Sequence, residues 1–542
     1  MSNNYLLMKR SLFSILAVLL LVPSCRDLGD DLLSYGHNDT QAFREAEESY
    51  AAQFEAFWTA MNENYCIWDF EEKDGLNWDE VYNTYLPRFQ ELGDTSSHIS
   101  LTDEEFRAMY AQFLDSLHDG HSMFQIKNLC TGHYVVVSPC LDRNMRERGE
   151  RYMAESENIT NLTAYNTDEV DARYHMLEYH SASSQNLIIT LADSTAQRLM
   201  RATTDYIAAV DAAGGPNELN DSIYVLVKRL QLNAQAILTF VSQPLSTIKP
   251  QLASFCQQYN DFSKEVTVIC KQIGVEMPKL EPDLANDKLG FIDVALFPGN
   301  IAYIRLGGFA LTGHLKPESS LPDSTSLFYA YRNAVQRVWQ SWFDAIQAHY
   351  AAGDLGGVIL DVRNNGGGLV SDYQYFLGAL LPSGGWSSHT LRVKNGCGRL
   401  DFAPLMPFVV STYSGPHAVI NERPIVVLAN SNSVSLSENT TWGVLSQPNG
   451  YFIGTRTFGG LSALSDDPAD YCANYSGTFG VRDVTPFYGY VPMFVCLYDE
   501  DLHIVEGVGF SPDEDLPLDV QLWTSQGRDN QLERALDYIQ SK

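Results

Sequence analysis

Two apolar runs, each ending in a turn of unusual composition, constrain this chain more than any other feature. "GGVILDVRNNGGG" reads as a buried strand running into a glycine turn. "RPIVVLAN" reads as a second buried strand, followed by "SLSENTTWGVLSQ", a helix, and by "YFIGTRTFGG", a strand with its turn. Short β-branched runs of this kind suit strands covered on both faces. Upstream, "NIAYIRLGGF" (300–309) is a strand, and a long amphipathic helix follows it, ended by Gly353. "SDYQYFLGALL" is helical. Strand, helix, strand in this order predicts an α/β layer fold with parallel strands.

The earlier part of the chain has a different pattern. Phe54, Phe57, Trp58, Met61 and Tyr65 recur at helical spacing. Thr102 and Glu105 form a capping box, and Phe106, Met109, Tyr110, Phe113, Leu114 and Leu117 form the apolar face behind it. That helix is predicted to end near Gly120, leaving His121 on a turn. Residues 193–275 read as helices broken at "AAGGPNE" and "SQPLS", with no recognisable chemistry. A length of 542 residues allows several domains. We divide it into a targeting segment (1–24), a polar tether (25–40), an N-terminal helical domain (41–125), a mixed, largely helical middle domain (126–288) and an α/β core (289–542).

A net charge of −31 argues against nucleic acid or an anionic membrane surface as the main partner. Lys9 and Arg10 precede an apolar run (12–22) that is short of the ~20 residues of a spanning helix. The "LVPSC" that follows resembles a bacterial lipoprotein signal, in which Cys25 becomes the lipidated first residue and anchors the chain to a membrane. An ordinary secretory peptide cut nearby is the alternative. Either places the protein in the cell envelope or beyond. The other cysteines are scattered without a Cys-x-x-Cys, so a zinc site is not indicated. Export permits disulfides, and Cys130 with Cys140 is the first pair to test; buried free thiols are the alternative.

Three alternating serines, Ser433, Ser435 and Ser437, follow the second buried strand where a helix begins. A helix N-terminus offers unpaired N–H groups and a dipole favourable to negative charge. A serine at such a turn has the placement of a nucleophile; its plainer role is to cap the helix. The glycines of 361–368 let backbone N–H groups approach a ligand, as an oxyanion site needs. Asp361 and Arg363 read as a structural pair shaping that turn.

Taken together, "GGVILDVRNNGGG" and, about 55 residues later, "PIVVLANSNSVSLSENTTWGVLSQPNGYFIGTRTFGG" resemble the core of the tail-specific (C-terminal processing) serine peptidases. "NIAYIRLGGF", "VEGVGFSPDEDL" and "GRDNQLERALDYI" are similar to further motifs of that family. "FWTAMNENYCIWDFEEKDGLNWDEVYNTYLPRF" and "LHDGHS" are similar to its tricorn-core branch. The resemblance covers 90–125 and 290–540 and leaves out 130–285, where a PDZ-like signature is missing.

The resemblance implies a crotonase-like (ClpP/crotonase-type) layered α/β core and an exported serine endopeptidase. It assigns the nucleophile to Ser435. Family members with a Ser/Lys dyad carry Phe-Gly-Lys-Gly where this chain reads "TFGG"; the one lysine after Ser435 is Lys542. The base is therefore a histidine, whose ordinary pKa suits the task. The tricorn-like pattern points to His121, with Glu506 as the acid that orients it and Gly120 where that branch has a serine. The contact from Glu506 is then direct or through Ser122. The oxyanion is expected between the N–H groups of Leu436 and Gly368. A peptide substrate would add as a strand to a sheet edge. No metal or organic cofactor is implied.

Alternatives stand beside these assignments. His503 is the second candidate base. His121 alone could simply close a helix. His118, Asp119 and His121 could suggest a metal site, although such close neighbours rarely converge on one ion. The whole chain could be an inactive relative serving as an envelope binding or scaffolding lipoprotein.

Overall fold

The computed structural model describes residues 45–94, 97–158, 173–217, 221–243, 245–280, 291–315, 327–381, 386–396, 398–413, 422–462, 479–499 and 501–542. The targeting segment, the tether and Cys25 lie outside them. No helix among the described residues is long and apolar enough to cross a membrane. The chain forms two compact units that interleave along the sequence. One holds 1–152, 387–409 and 458–509; the other holds 153–386, 410–457 and 510–542.

The first unit is helical at its start. Helices α1 (Tyr50–Asn64), α2 (Trp78–Glu91) and α3 (Asp103–Leu114) bury their aromatic stripes together. Phe57 meets Tyr110, Phe124 and Phe487 edge to face, at centroid distances of 5.4, 5.5 and 5.8 Å. Such pairs add about 0.5–1.5 kcal/mol each beyond their buried area. Phe124 and Phe487 come from a three-stranded antiparallel sheet of Phe487–Tyr490, Met123–Lys127 and Tyr134–Val137.

The expected capping box of α3 is present: Thr102 Oγ1 accepts from the Glu105 N–H, and Glu105 Oε2 accepts from the Thr102 N–H. The helix ends at Leu114, however, six residues before Gly120. Buried Glu71 accounts for the difference. Its Oε1 accepts the His118 N–H at 2.8 Å and its Oε2 meets His118 Nδ1 at 2.8 Å, which draws the chain out of the helical path.

The second unit is built on a seven-stranded mixed sheet. In chain order its strands are β1 (Glu178–Ser183), β2 (Phe291–Phe297), β3 (Ile301–Leu306), β4 (Gly357–Asp361), β5 (Ile425–Ala429), β6 (Gly450–Gly454) and β7 (Glu514–Asp515). The spatial order is β7-β6-β5-β4-β3-β2-β1, parallel from β7 through β3 and antiparallel at β2 and β1. Every residue of β3, β4 and β5 is buried, as continuous apolar runs in parallel strands require. Alternate residues divide between the faces. Tyr303, Ile359, Val426, Leu428 and Ile453 pack with Leu532, Ala535, Leu536 and Ile539 of the closing helix, Asn530–Gln540. The layered α/β core and helical N-terminal region expected from the sequence are what the chain forms.

Three long helices of this unit, Ser184–Ala212, Asp221–Val241 and Leu252–Gln272, make a separate apolar cluster in the segment read as largely helical. The segment "SDYQYFLGALL" is not an α-helix; it forms two 3₁₀ stretches, Val370–Tyr375 and Gly378–Leu380. There Leu311 and Thr312 donate their N–H groups to buried Asp372, which pins the segment from outside. The six described cysteines are free thiols, so Cys130 and Cys140 are not bridged.

Candidate active site

Parallel strands β4, β5 and β6 end side by side, and the turns beyond their carboxyl ends, the region where such sheets commonly bind ligands, carry the glycine and serine segments. After β4 the chain makes the glycine turn. Arg363 folds back beneath it. Its Nη2 meets Asp361 Oδ2 at 2.5 Å and Asp529 Oδ2 at 2.7 Å, and its Nη1 donates to Gln531 Oε1 at 2.8 Å. Asp361 and Arg363 are fully buried and act as structure. Burial alone would raise the Asp361 carboxyl, but the Arg363 and Arg305 guanidiniums outweigh it and hold the group below its ordinary value.

After β5 come the three serines. Ser433 Oγ donates to Val362 O and Ser437 Oγ to Asn365 O, each at 2.7 Å. Both serines are buried and tie the serine loop to the glycine turn. Ser435 differs. It is half-buried, and it sits at φ +58°, ψ −116°, as the residue before the helix Leu436–Leu445. A positive φ is rare for a residue with a Cβ and is held by its surroundings. Here the Ser435 N–H donates to Glu438 Oε2 at 3.2 Å, and Thr457 Oγ1 anchors Glu438 Oε1 at 2.6 Å.

The glycine turn lies directly against this serine. A Cβ built on Gly367 would fall 2.7 Å from Ser435 Cβ and 3.0 Å from the Leu436 nitrogen. The Gly367 N–H is engaged by Asn365 Oδ1 at 2.8 Å. Gly368 forms a parallel bridge with Phe309, in which Phe309 N donates to Gly367 O and Leu369 N to Phe309 O. In that pattern the N–H of Gly368 itself points away from Phe309. Neither the Leu436 N–H nor the Gly368 N–H has an acceptor among the described residues.

His121 and Glu506 belong to the other unit. The turn "HDGHS" is organised by Asp119, whose Oδ1 accepts the His121 N–H at 2.9 Å and whose Oδ2 accepts from Ser122 Oγ. Ser122 is therefore committed to Asp119. Glu506 holds the same turn from outside: Oε2 accepts the Gly120 N–H at 3.1 Å, while Oε1 accepts from the Leu461 N–H at 3.0 Å and Ser462 Oγ at 2.6 Å. Its contact is with the backbone beside the histidine. No hydrogen bond joins it to the His121 ring among the described residues.

Gly120 explains two departures at once. A Cβ there would lie 2.1 Å from Gly459 O and 2.3 Å from Gly460 Cα. The "TFGG" segment, where dyad enzymes have a lysine, packs as bare backbone against the histidine turn, and a serine at 120 does not fit.

His121 Nδ1 is buried and has no hydrogen-bond partner among the described residues. Burial lowers the imidazole pKa to about 4, so at neutral pH it is the uncharged form, the one that accepts a proton. Burial first, and then the Glu506 charge, push the Asp119 carboxyl well up; burial also raises Glu506, against the hydrogen bonds it accepts. Ligand atoms of Asp119, His121 and Glu506 lie within 4.8 Å of one another. Every carboxylate oxygen of that group already accepts an N–H or O–H, so these donors build the turn. His118 is not part of the group; it faces Glu71 and Asp74. His503 is exposed and paired with Asp499 Oδ2 at 2.8 Å, which raises its pKa.

Sequence alone named Asp119 as a possible metal ligand and missed its role in the turn, although an Asp that accepts from residues two and three positions on is a common turn device. Gly367 was not singled out, and carried no signal that separates it from its neighbouring glycines.

Comparison with known proteins adds the following. Residues 300–468 match the model of Peptidase family S41. Among solved structures, the chain is similar to a candidate peptidase from Parabacteroides merdae ATCC 43184, at 16% identity and a TM-score of 0.46, over 91% of this chain and 96% of that one. It is similar to mature CPAF complexed with lactacystin, at 11% identity and a TM-score of 0.41, over 92% and 98% of the two chains. The photosystem II D1 C-terminal processing protease matches at 19% identity and a TM-score of 0.24, over 40% of this chain and 42% of that one. No curated protein matches.

Proposed function

We propose that this chain, whose residues 300–468 match the model of Peptidase family S41, is an exported serine endopeptidase with Ser435 as its nucleophile. Ser435 Oγ attacks the peptide carbonyl while His121 takes the hydroxyl proton. The tetrahedral intermediate places its negative oxygen against the N–H groups of Leu436 and Gly368. Collapse breaks the C–N bond, and His121 returns the proton to the leaving amine. Water then repeats the sequence on the acyl-enzyme and frees Ser435. Glu506 serves this chemistry by fixing the turn that carries His121.

The observation that carries the reading is the state of the three serines. Two give their hydroxyls to main-chain carbonyls, and the third is held at positive φ against a glycine backbone. A fluorophosphonate probe tests it. Labelling should occur on the intact protein, map to Ser435 and vanish in Ser435→Ala. Unlabelled wild-type protein would sink the enzyme and leave the binding-lipoprotein alternative. Membrane anchoring through Cys25 belongs to the same proposal. Palmitate incorporation that survives Cys25→Ala would refute it.

A further inference from the structure

Near the end of the helix Pro139–Asn158, Glu155 is a buried carboxylate, with 2% of its surface exposed. Its Oε2 accepts from Ser431 Oγ at 2.5 Å and from the Ser431 N–H at 3.3 Å. Its Oε1 accepts from Thr455 Oγ1 at 3.0 Å. Its main-chain carbonyl accepts from Asn364 Nδ2 at 2.7 Å. Ser431 lies just beyond β5, Thr455 just beyond β6, and Asn364 in the turn beyond β4. One residue thus reaches the carboxyl-end turns of three adjacent parallel strands.

Those turns are also joined to each other. Asn364 N donates to Asn430 Oδ1 at 3.0 Å, and Asn430 Nδ2 donates to Asn364 Oδ1 at 2.9 Å. Val434 N donates to Asn365 O at 3.1 Å, one residue before Ser435. Asn364, like Ser435, has positive φ, at +56°. Asn adopts positive φ readily, whereas Ser435 there persists only if its surroundings over-determine it. No cation pairs with Glu155 among the described residues, and the partners it holds are N–H and O–H groups. A buried carboxylate placed this way is strongly directional, because charge-assisted hydrogen bonds are about twice as strong as neutral ones.

We propose that Glu155 is a positioning residue for the peptidase reaction: it sets the distance between the serine loop and the glycine turn, and so between the Ser435 hydroxyl and the N–H groups that receive the oxyanion. It acts through Ser431, Thr455 and Asn364 and does not touch substrate. The inference rests on the serine peptidase reading above.

The test compares full-length wild type, Glu155→Ala and Glu155→Gln for the rate of fluorophosphonate labelling, for kcat and KM on a peptide substrate, and for Tm. A displacement near 1 Å costs on the order of 100-fold in rate, so Glu155→Ala should label and turn over at least tenfold more slowly at unchanged KM, assayed well below its Tm. Glu155→Gln keeps one oxygen acceptor and should recover part of the loss. Where Glu155→Ala does not fold, Thr455→Val removes one arm of the contact and should lower the labelling rate at unchanged KM. Variants with lowered Tm that label within twofold of wild type would overturn the positioning role and leave a structural one. Failure of the wild type to label at all would instead strike the reading on which the inference rests.

Discussion

Gly367 and Ser435 are in backbone-to-side-chain contact: a methyl group on the glycine would stand 2.7 Å from the serine Cβ. Gly367 also sits at φ +93°, where side chains are strained whatever the space. Gly367→Ala must push the serine turn away, and with it the Leu436 N–H. Labelling and turnover should fall on the order of 100-fold while the circular dichroism spectrum is kept. Gly366→Ala meets nothing within 4 Å and is the control that should stay near wild type.

The base is tested by an exchange of histidines. His121→Ala should abolish peptide hydrolysis, and His503→Ala, an exposed side chain held by Asp499, should leave it unchanged. The reverse outcome would move the base to His503.

The pH profile makes a separate demand. Protonating the base stops the reaction, so the acid limb of kcat/KM follows the free-enzyme imidazole. Burial holds His121 at about 4, below the ordinary histidine value, and the limb should therefore lie below that value too. A midpoint of about 6.5 to 7 would point to a solvated histidine instead.

Restoring a serine at position 120 should fail. The Gly120→Ser Cβ would overlap Gly459 O and Gly460 Cα, both backbone, so neither can rotate aside. Forced insertions into packed sites cost about 1–3 kcal/mol and sometimes more. Urea unfolding should register at least that, and the displaced His121 turn should lose activity with it.

Arg363 is the structural counterpart. Arg363→Met leaves Asp361 and Asp529 buried without their shared cation and should destabilise the core by about 3–5 kcal/mol. The pH dependence has a definite sign. Asp361 is held low in the native state, so its contribution is present above the unfolded carboxylate value and is lost as pH falls through the native one. Without Arg363, burial dominates and the Asp361 value rises. The deficit of the variant should then shrink as the pH is lowered, a trend that unfolding curves at several pH values would reveal.

Much of this molecule is determined locally and is legible in sequence. Strands β4 and β5 are apolar runs with nowhere to go but the middle of a sheet, and the Ser-x-Ser-x-Ser-Glu run can only be a turn into a helix. The capping box of α3 follows from Thr102 and Glu105 alone, because its partners are three residues apart. The end of α3 does not follow, since Glu71, 47 positions before His118, draws the chain away. Tertiary structure likewise decided that Ser433 and Ser437 give their hydroxyls to main-chain carbonyls while Ser435 is held at positive φ, that Gly367 among its neighbours backs the serine, and that Gly120 meets bare backbone. It also decided that Glu155, in a polar helix without any motif, joins three strand ends. Propensity and periodicity act over one or two turns of chain, whereas these contacts exist only after distant segments have been packed together. No pattern in either segment alone can announce them.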